Sequence, residues 1–247
     1  MKKIYLILGA SSDLGKGLIK SIIAENQGQD ITVIAHYNSN STSLDEICNN
    51  HINVDIRPLQ ADLSDMESVL SFIEIMDTWN IIPTHIINLC ANEFNYTRLP
   101  EWSYDIVSKD MNIQVFAFAE ILKKYIPYMI RKNYGKIVVM LTAYTIGTPP
   151  KNMSGYITVK YALLGLIKSV ASDYGDKGIN INGISPGMIN TKFNDSVGRK
   201  IKEITAASNP KHRNLNVSDV IPTIMFLLSD DTEFISGTNI NLSGRTD

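Results

Sequence analysis

Tyr156 and Lys160 stand four residues apart at the end of the stretch LTAYTIGTPPKNMSGYITVK, residues 141–160. On a helix that spacing puts both side chains on one face. A free tyrosine titrates near pH 10 and is a poor acid or base at neutrality, whereas a neighbouring ammonium favours the phenolate and lowers that value. The pair is then suited to general acid–base work. Such work needs a second hydroxyl to hold the reacting oxygen, and the residues upstream read Leu141-Thr142-Ala143, without a serine. Thr142 keeps a donor and an acceptor, with a methyl that stiffens its rotamer. A register one residue later would fall on Ala143 and leave no hydroxyl. Ser154 is the rival, but it lies two residues before Tyr156 and would not face it; it reads as a helix N-cap. Taken alone, Tyr-x-x-x-Lys is more often ordinary helix surface.

A second group is LGASSDLGKG, which follows the first apolar run and opens the first helical pattern. Gly9, Gly15 and Gly17 permit a tight turn and close approach of the backbone to a phosphate, at a helix end that offers unpaired N–H groups and partial positive charge. Its place after the first strand suits a nucleotide site. The spacing is not G-x-G-x-x-G, nor a P-loop, which needs a glycine at Ala10 and a hydroxyl at Gly17. A tight turn with no ligand is the plain alternative.

The elements that must position these groups alternate along the chain. Apolar runs at 3–8, 31–35, 54–60, 85–89, 136–141, 179–184 and 239–242 read as strands. Helical spacing covers 41–49, 65–79 with Ser64 as its cap, 104–131 with room for a bend, 155–174, 195–206 and 217–228, besides the first helix on Leu14, Leu18, Ile22 and Ile23. Strands apolar on both faces and alternating with helices predict an α/β, Rossmann-like, doubly wound parallel sheet of about seven strands with helices on both faces. No linker interrupts it, so residues 1–247 read as one domain. The Asn- and Lys-rich segment 190–216 reads as a substrate lid.

Composition narrows the function. A net charge of -2 on 247 residues gives no electrostatic footprint for nucleic acid. No apolar run is long enough for a membrane span, and the N-terminal run is too short for a signal peptide. The two cysteines, Cys48 and Cys90, and the scattered His36, His51, His85 and His212 have no metal-ligand spacing, and a reduced, cytoplasmic setting is expected.

Together the glycine loop after strand one, Asp62 after strand three, Asn88 ending strand four, Asn112 in the next helix, the Tyr156/Lys160 pair and Ser185-Pro186-Gly187 after strand six resemble the short-chain dehydrogenase/reductase family, over residues 2–244. The chain is similar to its compact branch that includes 3-oxoacyl-carrier-protein reductases. The resemblance implies an oxidoreductase that moves a hydride between a nicotinamide and a carbonyl or alcohol. Gly9, Ser11, Ser12, Leu14 and Gly15 would form the phosphate loop. Asp13 replaces the family's middle glycine; a carboxylate there is unfavourable beside a pyrophosphate unless it turns away and caps the helix. Asp62 and Leu63 would meet the adenine. The family's N-N-A-G falls on Asn88-Leu89-Cys90-Ala91, with Asn88, Cys90 and Ala91 toward the ribose. Asn112 would anchor a proton-relay water, Tyr156 would be the acid/base, and Lys160 would lower its pKa and hold the nicotinamide ribose. Thr142 falls on the catalytic serine. Pro186, Gly187, Ile189 and Thr191 would surround the nicotinamide.

The end of strand two has no acid at Tyr37, and Tyr37, Asn38 and Ser39 are placed to bind a 2′-phosphate, so NADPH is expected over NADH, with NAD as the other candidate. The implied substrate is a small-molecule or carrier-bound carbonyl, acyl or sugar-derived. Lys123, Lys124, Arg131 and Lys132 are candidates to meet a carrier, though they read first as a solvated helix end. A homotetramer or homodimer built on helices 104–131 and 155–174 is implied, with neither nucleic acid nor membrane as partner. The departures at Asp13, Leu89-Cys90 and Thr142 keep open a catalytically weak, nucleotide-binding sensor or assembly subunit, and a structural partner with no cofactor.

Overall fold

The computed structural model describes residues 2–92 and 96–244; the ends of the predicted 1–247 domain and positions 93–95 lie outside them. Seven strands, β1 (Lys3–Leu8), β2 (Ile31–Tyr37), β3 (Asp55–Gln60), β4 (His85–Asn88), β5 (Gly135–Met140), β6 (Ile179–Pro186) and β7 (Asn239–Leu242), form one parallel sheet in the order β3-β2-β1-β4-β5-β6-β7. The chain winds outward from β1 in one direction, then from β4 in the other. In such sheets the crevice at the carboxyl ends of the two central strands is where ligands sit. Register brings Leu8 of β1 beside Asn88 of β4, and Met140 of β5 beside Ile184 of β6. The loops that carry the predicted chemistry therefore leave one sheet edge at one level.

The helices are α1 (Asp13–Glu25), α2 (Thr42–Asn50), α3 (Met66–Thr78), α4 (Tyr104–Met111), α5 (Ala117–Lys132), α6 (Ser154–Tyr174), α7 (Arg199–Ser208) and α8 (Val217–Leu228). One face of the sheet packs Phe72, Phe118, Tyr125 and Leu163 from α3, α5 and α6. The other packs Leu18, Ile22, Ile224 and Leu227 from α1 and α8. Full burial of each such side chain contributes about 1.5–3 kcal/mol, enough to fix the angle at which α1 and α6 present their N-terminal turns to the crevice. Among the described residues no helix is long and apolar enough to cross a membrane.

Four expectations change. The long helix 104–131 is three pieces: α4, a π-turn at Asn112–Phe116 and α5, with the Ala117 N–H reaching back five residues to the Asn112 carbonyl. Such turns are uncommon and cluster at functional sites. Asp65, not Ser64, caps α3, because the Ser64 hydroxyl and N–H are both taken by Asp62. Ser154 is the first residue of α6 rather than its cap, its hydroxyl donating instead to the Thr97 carbonyl. The helix expected at 195–206 starts later, as α7, and buries none of its residues.

The turn that feeds β6 depends on Gly178, whose φ is +71°. A Cβ there would collide with the carbonyl of Asn133, itself left-handed at φ 50° beyond α5. Both atoms belong to backbone, so neither can yield cheaply. Gly178→Ala is expected to destabilise the fold by about 2–3 kcal/mol, read as a lower urea midpoint with an unchanged slope.

Candidate active site

A cleft of about 590 Å³ runs along the carboxyl ends of the strands, from the glycine loop to Tyr156. At its first end Ser12 caps α1: its hydroxyl accepts from the Gly15 N–H at 3.0 Å and donates to the Gly9 carbonyl at 2.8 Å. Gly9 has φ +80°, and a Cβ at Gly15 would stand 2.5 Å from the Ala10 carbonyl oxygen. The loop is thus a backbone cradle at a helix N-terminus, shaped for an anion such as a pyrophosphate.

Asp13 is not the cap predicted for it. Its Oδ2 accepts from the Lys192 N–H at 2.9 Å and its Oδ1 pairs with Lys16 at 3.1 Å. The Lys192 N–H, with help from Lys16, holds the carboxyl below the usual carboxylate range. Asp13 therefore ties the segment after β6 to the phosphate loop. Its sequence neighbourhood gave no sign of a partner 179 residues away.

His36 sits beneath the loop, buried at the end of β2. Its Nδ1 accepts from the Gly9 N–H at 3.1 Å, and Nε2–H donates to the Ala61 carbonyl at 3.0 Å. Those partners settle the neutral tautomer, and burial pushes the ring down to about 4. Sequence reasoning missed this residue; a histidine inside an otherwise apolar strand was the available signal. Asn38 lines the cleft, but Tyr37 packs against the core on the α1 side and the exposed Ser39 does not line it; Asn40 and Ser43 stand there instead. The strand's alternation turned Tyr37 inward while the chain turned away after Asn38.

Ser11, Ser12, Leu14, Asp62, Leu63, Cys90, Ala91, Pro186, Gly187, Ile189 and Thr191 all line the cleft, with Gly9. Gly15 and Asn88 lie behind its surface: Gly15 supplies packing space, and the Asn88 Oδ1 accepts from the Cys90 N–H at 3.1 Å, fixing the loop after β4. Asp62 is held ionised by the Ser64 hydroxyl and N–H.

At the other end, Thr142 leaves β5 extended and its hydroxyl shares a hydrogen bond with the Tyr156 phenol. Thr142 lines the cleft, whereas Ala143 is packed in the short turn that follows. Lys160 lies one turn along α6, 2% exposed, with Nζ donating to the Met140 carbonyl at 2.9 Å and 5.8 Å from the Tyr156 ring centre. The expected lowering of the Tyr156 pKa is not what the site shows. Loss of water around the phenol pushes it up to about 12, the Thr142 hydrogen bond opposing only part of that. Lys160, also desolvated, falls to about 8. The Asn112 side-chain amide donates to the Ser64 carbonyl at 3.3 Å, and the next residue, Ile113, lines the cleft. Asn92, Tyr96, Tyr144, Met153, Phe193 and Val197 close this end with mostly apolar surface; short-range patterning gave no way to assign them. Among the described residues no group of three or more His, Cys, Asp or Glu could hold a metal.

Comparison with known proteins follows the same outline. A family model described as Enoyl-(Acyl carrier protein) reductase matches residues 10–244. The 3-oxoacyl-[acyl-carrier-protein] reductase FabG of Staphylococcus aureus is 26% identical over 248 residues, covering 99% of this chain and 98% of that protein. The protein of that name from Thermotoga maritima is 24% identical over 246 residues, covering 98% and 96%. Among solved structures, 4-hydroxyisoleucine dehydrogenase complexed with NADH superposes with a TM-score of 0.87 at 24% identity, covering 98% of each chain. Levodione reductase superposes at 0.85 and 24%, covering 98% and 96%.

The buried neutral His36 makes the site sensitive to acid. Its folded pKa lies below the unfolded value near 6.5, so its contribution is complete above pH 6.5 and is lost as pH falls toward 4. That loss is about 3 kcal/mol. Urea unfolding at pH 7, 5.5 and 4 should show stability falling over this window, with a shallower fall in His36→Asn.

Proposed function

The chain belongs to the short-chain dehydrogenase/reductase family, NAD(P)H-dependent oxidoreductases of carbonyl and alcohol groups, and from that premise we propose that it is an NADPH-preferring carbonyl reductase working through Tyr156, Thr142 and Lys160. The observation that carries this reading is the hydrogen bond between Thr142 and Tyr156 in the wall of the cleft, with the Lys160 ammonium beneath them on the same helix.

The glycine loop and α1 N-terminus would hold the pyrophosphate, Asp62 and Leu63 the adenine, and Pro186 to Thr191 the nicotinamide end, each with residues lining the cleft. Neutral Asn38, Asn40 and Ser43 line the cleft beyond β2, with no carboxylate among them, and would suit the 2′-phosphorylated nucleotide. The bound cofactor supplies the hydride. Thr142 donates to the substrate oxygen and orients it. Tyr156, protonated at neutral pH, gives that oxygen its proton. Lys160, fixed by the Met140 carbonyl, stabilises the phenolate left behind and returns a proton to it. Thr142 supplies the hydroxyl whose absence would favour a non-catalytic sensor.

The likeness to 3-oxoacyl-carrier-protein reductases supports a 3-oxoacyl thioester as substrate, small or carrier-bound, and the apolar walls at Met153, Phe193 and Val197 suit an acyl chain. Residues 190–216 are read as the lid over it: α7 buries none of its residues and carries exposed Ile201 and Ile204. Apolar faces on the outer side of α4 to α6, with Tyr104, Phe116 and Tyr161 exposed, support a homodimer or homotetramer. Two free cysteines support a cytoplasmic setting.

Tyr156→Phe is expected to lower reduction of a 3-oxoacyl thioester or small ketone by about 10²–10⁴-fold, with NADPH affinity within about twofold of wild type. Thr142→Val should lose about 100-fold and Thr142→Ser little. Near-wild-type turnover in Tyr156→Phe would sink the reading.

A further inference from the structure

Among the described residues Asp110, at the end of α4, is the one buried carboxylate facing the helix that carries the reacting tyrosine. It is 9% exposed, and its Oδ1 has no hydrogen-bond donor among the described residues. Its other tie is a hydrogen bond with the side chain of Asn92, which itself lines the main cleft. Asp110 also borders a second, small cavity with Val107, Gly155 and the ring of Tyr156. That cavity, about 20 Å³, is large enough for one water, which needs about 10–15 Å³. A buried carboxylate with an open acceptor is costly unless it meets a positive charge or a water. The cavity can hold the water. The Lys160 ammonium, which has three donors and gives one to the Met140 carbonyl, lies on the facing helix beyond direct contact with the carboxylate. Burial raises the Asp110 carboxyl above its usual range and the Asn92 hydrogen bond and Lys160 charge oppose this, while Asp110 in turn raises Lys160.

We propose that Asp110 is a positioning residue for the proton-transfer pair: its buried carboxylate is the counter-charge that keeps Lys160 an ammonium while Tyr156 donates. The consequence for turnover rests on the reductase reading above; the electrostatic pairing does not. Each neighbour that could compete is identified. Lys160 and Tyr156 face Asp110 from α6, and Lys109 lies on its own helix. Cys90, after β4, also faces Lys160, but burial pushes its thiol up to about 12 and leaves it neutral. Tyr144 faces Tyr156 from the turn after Thr142. Among the described residues only Asp110 brings a carboxylate to this group. The sign follows. Asp110 raises the Lys160 pKa and the Tyr156 pKa together, so removing its charge lowers both. In reduction, which needs Tyr156 protonated and Lys160 charged, the alkaline limit then moves to lower pH.

The test titrates Lys160 by NMR in protein labelled at the lysine ε-carbon, with the resonance assigned by loss in Lys160→Arg, in wild type, Asp110→Asn and Asp110→Glu. Asp110→Asn should lower the Lys160 midpoint by about one pH unit, and Asp110→Glu, which retains the charge, should leave it near that of wild type. Where a carbonyl substrate is turned over, the alkaline limb of kcat/KM should move with the midpoint, costing about fivefold at pH 8 in Asp110→Asn, with NADPH affinity unchanged. A midpoint that stays in place in Asp110→Asn, or shifts equally in both variants, overturns the proposal. If Asp110→Asn does not fold, Asp110→Glu decides: an unmoved midpoint supports the counter-charge, a lowered one refutes it. A shifted midpoint in a protein without turnover would sink the reductase reading and leave the pairing standing.

Discussion

The constraint on which the site depends is the burial of the Lys160 ammonium. A charge taken out of water is costly unless polar groups replace its hydration. Here the replacements come from different elements. The carbonyl of Met140 arrives from the end of β5 in direct contact, and the proposed counter-charge, Asp110, stands in the last turn of α4 without touching the ammonium. Each comes from an element whose placement the sheet determines. The register between β4, β5 and β6 sets where Met140 ends, and so where Thr142 leaves the strand to meet Tyr156. The π-turn after α4 accommodates the bend between the residues that approach α6 and those that continue as α5. The same dryness raises the Tyr156 phenol further above neutrality, so it stays protonated well into the alkaline range.

At the other end of the cleft the constraint is space. Gly15 has no room for a side chain against Ala10, and the Gly9 N–H is spent on His36, so the loop is held from below and open above. Asp13 adds a tie to Lys192 across the mouth of the cleft. The two ends are thereby mechanically joined: the phosphate loop and the segment that leads to α7 share a carboxylate. A group occupying the cradle would meet that tie, a coupling that a glycine at position 13 lacks.

Much of this was legible in the sequence where chemistry and period coincide. Strands buried on both faces announced the parallel sheet, and Tyr156 with Lys160 announced a helix face. The spacing from Thr142 to Tyr156 was legible only as a choice between two residues, because the loop between them has no period. What stayed hidden depends on long-range partners. Ser64 and Ser154 look like caps in isolation, yet Asp62 and Thr97 claim their hydroxyls. Tyr37 is polar enough to suggest a ligand, yet strand alternation directs it into the core. Asp110 carries no mark in the sequence, and only the packing of α4 against α6 reveals that it is buried. The direction of the Tyr156 shift was misjudged for the same reason: a neighbouring lysine can be read from spacing, but the burial that raises the phenol cannot.

The central claim is that this cleft moves a hydride from a nicotinamide to a carbonyl carbon. The most direct measurement follows the hydride itself. The protein is incubated with NADPH carrying deuterium at one face of the nicotinamide C4, and in parallel with NADH so labelled, together with a panel of 3-oxoacyl thioesters and small ketones; the products are analysed by mass spectrometry. The account predicts one deuterium on the carbinol carbon of the alcohol, transferred from a single face and faster from NADPH. Bound nucleotide with no label transferred to any carbonyl would contradict it.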